Sequence, residues 1–171
     1  FKTLESLELA PDAPLRHVVV TAAFTDANNY MKDGILLRQV INEIDGSVDF
    51  TEYKERHAFG EIYETILKDL QSAGNAGEFY TPRAVTDFMA QALAPKLGET
   101  VADFACGTGG FLTSALKILD SQVQTPADRE LYARSVYGIE KKQLPYLLCV
   151  TNMLLHDIDN PEVFHDNSLE K

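Results

Sequence analysis

The sequence predicts an α/β fold preceded by a helical segment, and three stretches carry that prediction. Asp103-Phe104-Ala105-Cys106-Gly107-Thr108-Gly109-Gly110-Phe111-Leu112 reads as a strand that ends in a glycine turn and opens a helix. Ser135-Val136-Tyr137-Gly138-Ile139-Glu140 reads as a second short strand ending in a carboxylate. Before both, apolar residues between positions 36 and 70 recur at helical spacing.

The glycine turn is the richest of the three. Residues 101–105 are short and apolar, as expected of a buried parallel strand, while Phe111, Leu112, Ala115, Leu116 and Leu119 follow helical spacing. Glycines adopt backbone conformations other residues resist, and they let a ligand approach without meeting a Cβ. The N–H groups of the new helix start point into the same space, so such a turn cradles a nucleotide-like ligand. Packing alone also explains glycines at strand-to-helix turns, and both readings stay open for the turn by itself. The dinucleotide fingerprint fails, because Leu112 stands where its third glycine should be. With Asp103 just before the turn, the pattern resembles the first motif of S-adenosylmethionine-dependent methyltransferases. That cofactor has no pyrophosphate for a helix dipole to hold, and a carboxylate suits its ammonium end.

Upstream, Glu78-Phe79-Tyr80-Thr81-Pro82-Arg83 precedes a helical pattern of Val85, Phe88, Met89, Ala92 and Leu93. Thr81 is expected as the N-cap and Pro82 at the first helical position, which holds the two aromatics in the loop entering the helix. Taken alone, this is also the pattern of a hydrophobic staple. Followed by the glycine turn, it resembles the modification (M) subunit of type I restriction-modification systems, a DNA adenine methyltransferase with a "(Q/E)-(F/Y)-(F/Y)-T-P" element upstream of its glycine motif. The expected fold is then the Rossmann-like methyltransferase fold, truncated, behind an α-helical segment.

The rest of the chain follows the same template. A ribose needs an acceptor for its two hydroxyls, and Glu140 is the candidate. It lies further past the turn than the roughly 20 residues of a simple βαβ unit, so residues 121–134 must hold an inserted loop or helix. Thr125-Pro126-Ala127-Asp128 supplies a capped start for one. An acid at a strand end is also commonly just solvated. Leu144, Leu147, Leu148, Thr151, Leu154 and Leu155 predict a helix across 141–157, with Pro145 in its first turn. Asn152-Met153-Leu154-Leu155-His156 matches the Asn-Met-x-Leu-His-like ending of that helix in the resembled family. These residues read as structural, with His156 near a helix C-terminus. Val163-Phe164-His165-Asp166-Asn167-Ser168-Leu169 resembles the family's third strand, and in that alignment Asp166 or Asn167 lies near the cofactor's adenine.

The acceptor half of the site is missing from the sequence. The family binds a flipped adenine with an Asn-Pro-Pro-Phe or Asp-Pro-Pro-Tyr-like motif. Asn160-Pro161-Glu162 only begins like it and reads as a turn. The chain runs from Phe1 to Lys171, and the expectation is a fragment of a longer protein that does not methylate alone.

Composition narrows the class. Two cysteines make neither a disulfide framework nor a zinc site, and no metal is expected. Neither follows a proline, as a cytosine-ring methyltransferase would need. Apolar runs are short, so neither a signal peptide nor a membrane span is expected, and the protein is expected in the cytoplasm. The net charge of −11 argues against this piece as the main DNA-gripping surface. In the first 75 residues, Leu36, Leu37, Val40, Ile41 and Ile44 form one helical face, and Phe59, Ile62, Tyr63, Ile66, Leu67 and Leu70 form another. Residues 15–24 suggest a further helix, and Gly74-Asn75-Ala76-Gly77 a flexible break. The division is therefore 1–75, the end of an N-terminal helical domain, and 76–171, the first part of the cofactor-binding domain. Apolar faces left without partners predict dimerisation or marginal stability.

The resemblance implies methyl transfer from S-adenosylmethionine to the exocyclic amine of adenine in DNA. Asp103 with Gly107, Thr108, Gly109 and Gly110 would hold the methionine end and Glu140 the ribose. Glu78, Phe79, Tyr80, Thr81, Pro82 and Arg83 would close over the cofactor. Implied partners are DNA, a specificity (S) subunit, a restriction (R) subunit and a second M subunit. A methyltransferase acting on protein or RNA, and a non-catalytic assembly module, are the alternatives.

Overall fold

The computed structural model describes residues 32–49, 51–72 and 81–170, together with His17, Val20 and Thr21. Most of the suggested 15–24 helix, the 74–77 glycine cluster and Glu78, Phe79 and Tyr80 lie outside the described residues. In chain order come α1 (Gly34–Ser47), α2 (Tyr53–Ser72), α3 (Arg83–Leu93), β1 (Val101–Asp103) and α4 (Gly110–Asp120). They are followed by α5 (Pro126–Ala133), β2 (Val136–Glu140), α6 (Gln143–Leu155) and β3 (Glu162–His165).

The three strands form a parallel sheet in the order β1-β2-β3. Val101 pairs with Val136 and Asp103 with Gly138, while Glu140 pairs with His165. Parallel pairing sends all three strand ends to one edge. The helices that connect them supply the core: Leu112, Leu116 and Leu119 of α4 and Cys149, Val150 and Met153 of α6 are wholly buried with Tyr132 of α5. Gly138 lets α4 approach the sheet. A Cβ there would lie 3.1 Å from Cys106 Sγ and 3.2 Å from Leu112 Cδ1, tighter than ordinary contacts.

Local signals set several boundaries. Thr125 caps α5 through its hydroxyl, and the Asp128 carboxylate reaches back to the Thr125 N–H, closing a capping box behind Pro126. These hydrogen bonds, first the one from Thr125, hold the Asp128 carboxyl below its usual range. This is the inserted helix the extra length demanded. In α6, Pro145 falls in the first turn as expected.

Two expectations are corrected. Thr81 is not the cap of α3: Pro82 is, with an extended ψ of 138, and Arg83 is the first helical residue. Proline has no side-chain acceptor, so this end is held instead by the Pro82 carbonyl, which accepts from the Val85 and Thr86 N–H groups. Strand β1 is not fully buried, since Ala102 is exposed in a strand paired along one edge only. The apolar row of α3 does not face the core. Val85, Phe88, Met89 and Leu93 are exposed, and the helix buries Thr86 and Ala90 against α4.

Helix α2 packs on α6: Arg56 ion-pairs with Asp157, the Tyr63 hydroxyl donates to the Leu148 carbonyl, and Gly60 sits beside Leu155. Burial pushes the Tyr63 phenol up to about 12. Helix α1 buries none of its residues, and Leu36, Val40, Ile41 and Ile44 face outward.

Candidate functional site

The site is the carboxyl edge of the sheet. Each strand there runs into an acid: Asp103 ends β1, Glu140 ends β2 and Asp166 follows β3. Open parallel sheets bind ligands at this edge, where loops are free of the sheet's own pairing.

The glycine turn follows the first of these acids and touches the second. The Cys106 N–H donates to the Ile139 carbonyl, which carries the pairing of β1 with β2 past Asp103. The chain then reverses through a turn closed by the Gly109 N–H on the Cys106 carbonyl at 2.8 Å. Gly107 takes a φ of 56 and Gly109 a φ of 83, the left-handed region that glycine adopts without strain. The space in front of Gly107 is open, with no atom within 4 Å of where a Cβ would stand. Behind Gly109 there is no such room: a Cβ would meet Cys149 Sγ at 2.8 Å. One glycine faces open space and the other a packed helix.

Side chains from three other elements hold Gly107, Thr108 and Gly110 of this turn. The Gly107 N–H donates to Glu140 Oε2 at 2.8 Å, and the other oxygen of Glu140 accepts the Lys142 N–H at 2.7 Å. Asn152 of α6 donates its Nδ2 proton to the Thr108 carbonyl at 3.3 Å. Arg83 of α3 donates from Nη1 to the Gly110 carbonyl at 2.7 Å and to Thr113 Oγ1 at 2.6 Å. Next to it the Ser114 hydroxyl donates to Asp87 Oδ1 at 2.6 Å. The contact between α3 and α4 is thus polar.

Of the predicted site residues, Asp103, Gly107, Thr108, Gly109, Gly110 and Glu140 come together at this edge. Arg83 joins them through the start of α4, and Thr81 and Pro82 lead into it. Asp103 Oδ1 accepts the Ala105 N–H, which fixes the carboxylate at the rim. Asp166 and Asn167 turn their side chains onto the following backbone, accepting from the Asn167 and Leu169 N–H groups. Beside them His165 stacks on Tyr146 with ring centroids 5.3 Å apart, and its Nε2 meets the Lys141 carbonyl. His156 sits buried at the end of α6, where its carbonyl accepts the Tyr132 hydroxyl.

Cys106 and Cys149 are free thiols, buried with their sulfurs 3.8 Å apart. The hydrogen bond shared with Cys106, then burial, raises the Cys149 thiol well above its ordinary value. Neither has the exposed, electropositive setting of a nucleophile. Sequence reading missed Asn152 as a neighbour of the turn; its one signal was an amide within the apolar run of α6.

Residues 54–171 match the family model for N-6 DNA methylases. The chain belongs to the N-6 DNA methylase family. It is 57% identical over its whole length to the methylase subunit of the EcoEI type I restriction enzyme of Escherichia coli, of which it covers 35%. It is 32% identical over 72% of its length to the MpnII type I methylase subunit of Mycoplasma pneumoniae, covering 22% of that protein. A solved structure described as the structural basis of complex assembly and conformational transition of the type I R-M system superposes with a TM-score of 0.86. That match has 32% identity and covers 99% of this chain and 34% of the other. The chain therefore spans about a third or less of the relatives it matches. This N-6 DNA methylase chain has the α/β arrangement expected of a methyltransferase fold. Among its described residues no helix is long and apolar enough to cross a membrane.

Proposed function

We propose that the chain is the cofactor-binding part of a type I restriction-modification methylase subunit, using S-adenosylmethionine to methylate the exocyclic amine of adenine in DNA. The placement of Asp103 and Glu140 beside an open glycine turn, with Asp166 after the third strand on the same edge, carries this reading. S-adenosylmethionine brings a sulfonium, an ammonium and a ribose diol, all of which suit a carboxylate rim. A pyrophosphate would be repelled by the same rim. The residues present fit the cofactor: Gly107 leaves space in front of it, and each Glu140 oxygen accepts one N–H and retains capacity for a hydroxyl.

When bound, the cofactor supplies a methyl group activated by its sulfonium. The chain's residues bind and orient. Asp103 with Gly107, Thr108, Gly109 and Gly110 holds the methionine end, Glu140 holds the ribose, and residues 78–83 close over the bound molecule. Holding donor and acceptor in line is the main catalytic service a displacement of this kind needs. Residues 1–75 are the end of a helical domain and 76–171 begin the cofactor-binding one.

With a net charge of −11, the chain relies on partners for phosphate contacts. We assign that role to a specificity subunit, in a cytoplasmic assembly with a second methylase subunit and a restriction subunit. The test is transfer of label from methyl-labelled S-adenosylmethionine by the complete methylase with its specificity subunit on duplex DNA. Label recovered as N6-methyladenine is expected. Label in protein or RNA, or none at all, overturns the assignment.

A further inference from the structure

We propose that Asn152 is a positioning residue for the glycine turn, acting on cofactor affinity through the Thr108 carbonyl. The inference builds on the cofactor reading above and adds a residue outside the rim.

Asn152 is fully buried on α6, between Cys149 and Met153, the two residues that lie against Gly109. Its Nδ2–H donates to the Thr108 carbonyl, while its Oδ1 is buried with no hydrogen-bond partner. A buried acceptor without a partner destabilises a fold, and an apolar side chain of the same forked shape would remove that penalty. The amide thus pairs one buried acceptor, the Thr108 carbonyl, while leaving its own Oδ1 unpaired, so the two effects oppose each other and stability alone does not account for it. The bond it does make has a specific effect. The peptide between Thr108 and Gly109 precedes a glycine, the residue that most readily lets a peptide plane flip, because both signs of φ are open to it. A flip would swing the Thr108 carbonyl away from α6 and break the Gly109 N–H bond to the Cys106 carbonyl that closes the turn. Asn152 holds the carbonyl inward and so selects one of two turn conformations. Glu140 and Arg83 grip the residues on either side, Gly107 and Gly110, but neither touches this peptide.

The experiment compares wild type, Asn152→Leu and Asn152→Ala in the full chain. Asn152→Leu removes both the donor and the orphan acceptor. Asn152→Ala removes the same donor and acceptor with a smaller side chain. Three quantities are read: thermal midpoint, amide exchange at residues 107–110 without cofactor, and S-adenosylmethionine affinity by calorimetry. The expected result for Asn152→Leu is a midpoint close to wild type, because one unpaired acceptor is removed and the Thr108 carbonyl becomes another, with faster exchange in the turn and affinity about tenfold weaker, the size of one lost hydrogen bond. Unchanged exchange and affinity, or a lowered midpoint with an unchanged turn, would overturn the proposal. Should Asn152→Leu not fold, Asn152→Ala is judged by the same exchange and affinity readings. Wild type that fails to bind S-adenosylmethionine refutes the cofactor reading and the affinity effect together, whereas the exchange result still decides whether Asn152 positions the turn.

Discussion

Helix α4, which begins at the glycine turn, has two unlike flanks. Toward the sheet and α6 it buries Leu112, Leu116 and Leu119 in a continuous apolar core. Toward α3 it presents Gly110, Thr113 and Ser114 to Arg83, Thr86 and Asp87, a contact made of hydrogen bonds. The apolar flank supplies the free energy that forms the fold. The polar flank supplies geometry, since it ties the start of α3 to the Gly110 carbonyl and leaves the apolar row of α3 facing outward. Stability and alignment of the turn therefore rest on different sides of one helix, and they are separable by mutation.

The largest expected effect is on the apolar flank. Leu116→Ala leaves a cavity beneath a wholly buried position and costs about 3 kcal/mol in denaturant unfolding. Second comes Gly109→Ala, which forces a Cβ into a φ of 83 and against Cys149 Sγ, and it costs about 2 kcal/mol. On the polar flank, Arg83→Ala lowers stability by only about 1 kcal/mol, because its charge-assisted bonds are part-exposed. Its amide exchange should nevertheless rise at the start of α3 and its affinity for S-adenosylmethionine should fall. A loss of stability as large as that of Leu116→Ala, with α3 still protected, would erase the distinction between the flanks.

The smallest effect at neutral pH belongs to Tyr63 on the outer side of α6. Its phenol titrates at about 12 folded against an ordinary 10.0, so the folded state keeps its proton longer than the unfolded chain. Stability from this group is complete below pH 10 and is lost as the pH rises from there toward 12. Tyr63→Phe should flatten that alkaline decline while changing little at pH 7. An unaltered decline in the variant would assign the alkaline sensitivity elsewhere.

What could be read from the sequence was local. The strand, glycine turn and helix across residues 101–119, the capping box at Thr125 and Asp128, and the strand ending at Glu140 each announce themselves within a few residues. The rest depends on pairing across long separations. Val85, Phe88, Met89 and Leu93 have the spacing of a buried face, but the surface that α3 meets on α4 is Gly110, Thr113 and Ser114, and polar partners select the other side of the helix. Thr81 has the chemistry of a cap, yet Pro82 takes that place because its extended ψ ends the loop one residue later. Asn152 stands 44 residues from the carbonyl it holds, and nothing in its neighbourhood along the chain points to Thr108.

On the proposed reading, a carboxylate-rimmed glycine turn selects a cationic, phosphate-free nucleoside. Calorimetric titration of the full chain with S-adenosylmethionine and, separately, with ATP tests it most directly. The account predicts saturable heat with S-adenosylmethionine, diminished in both Asp103→Ala and Glu140→Ala, and no binding of ATP. Silence with S-adenosylmethionine, or ATP binding of equal strength, would contradict it.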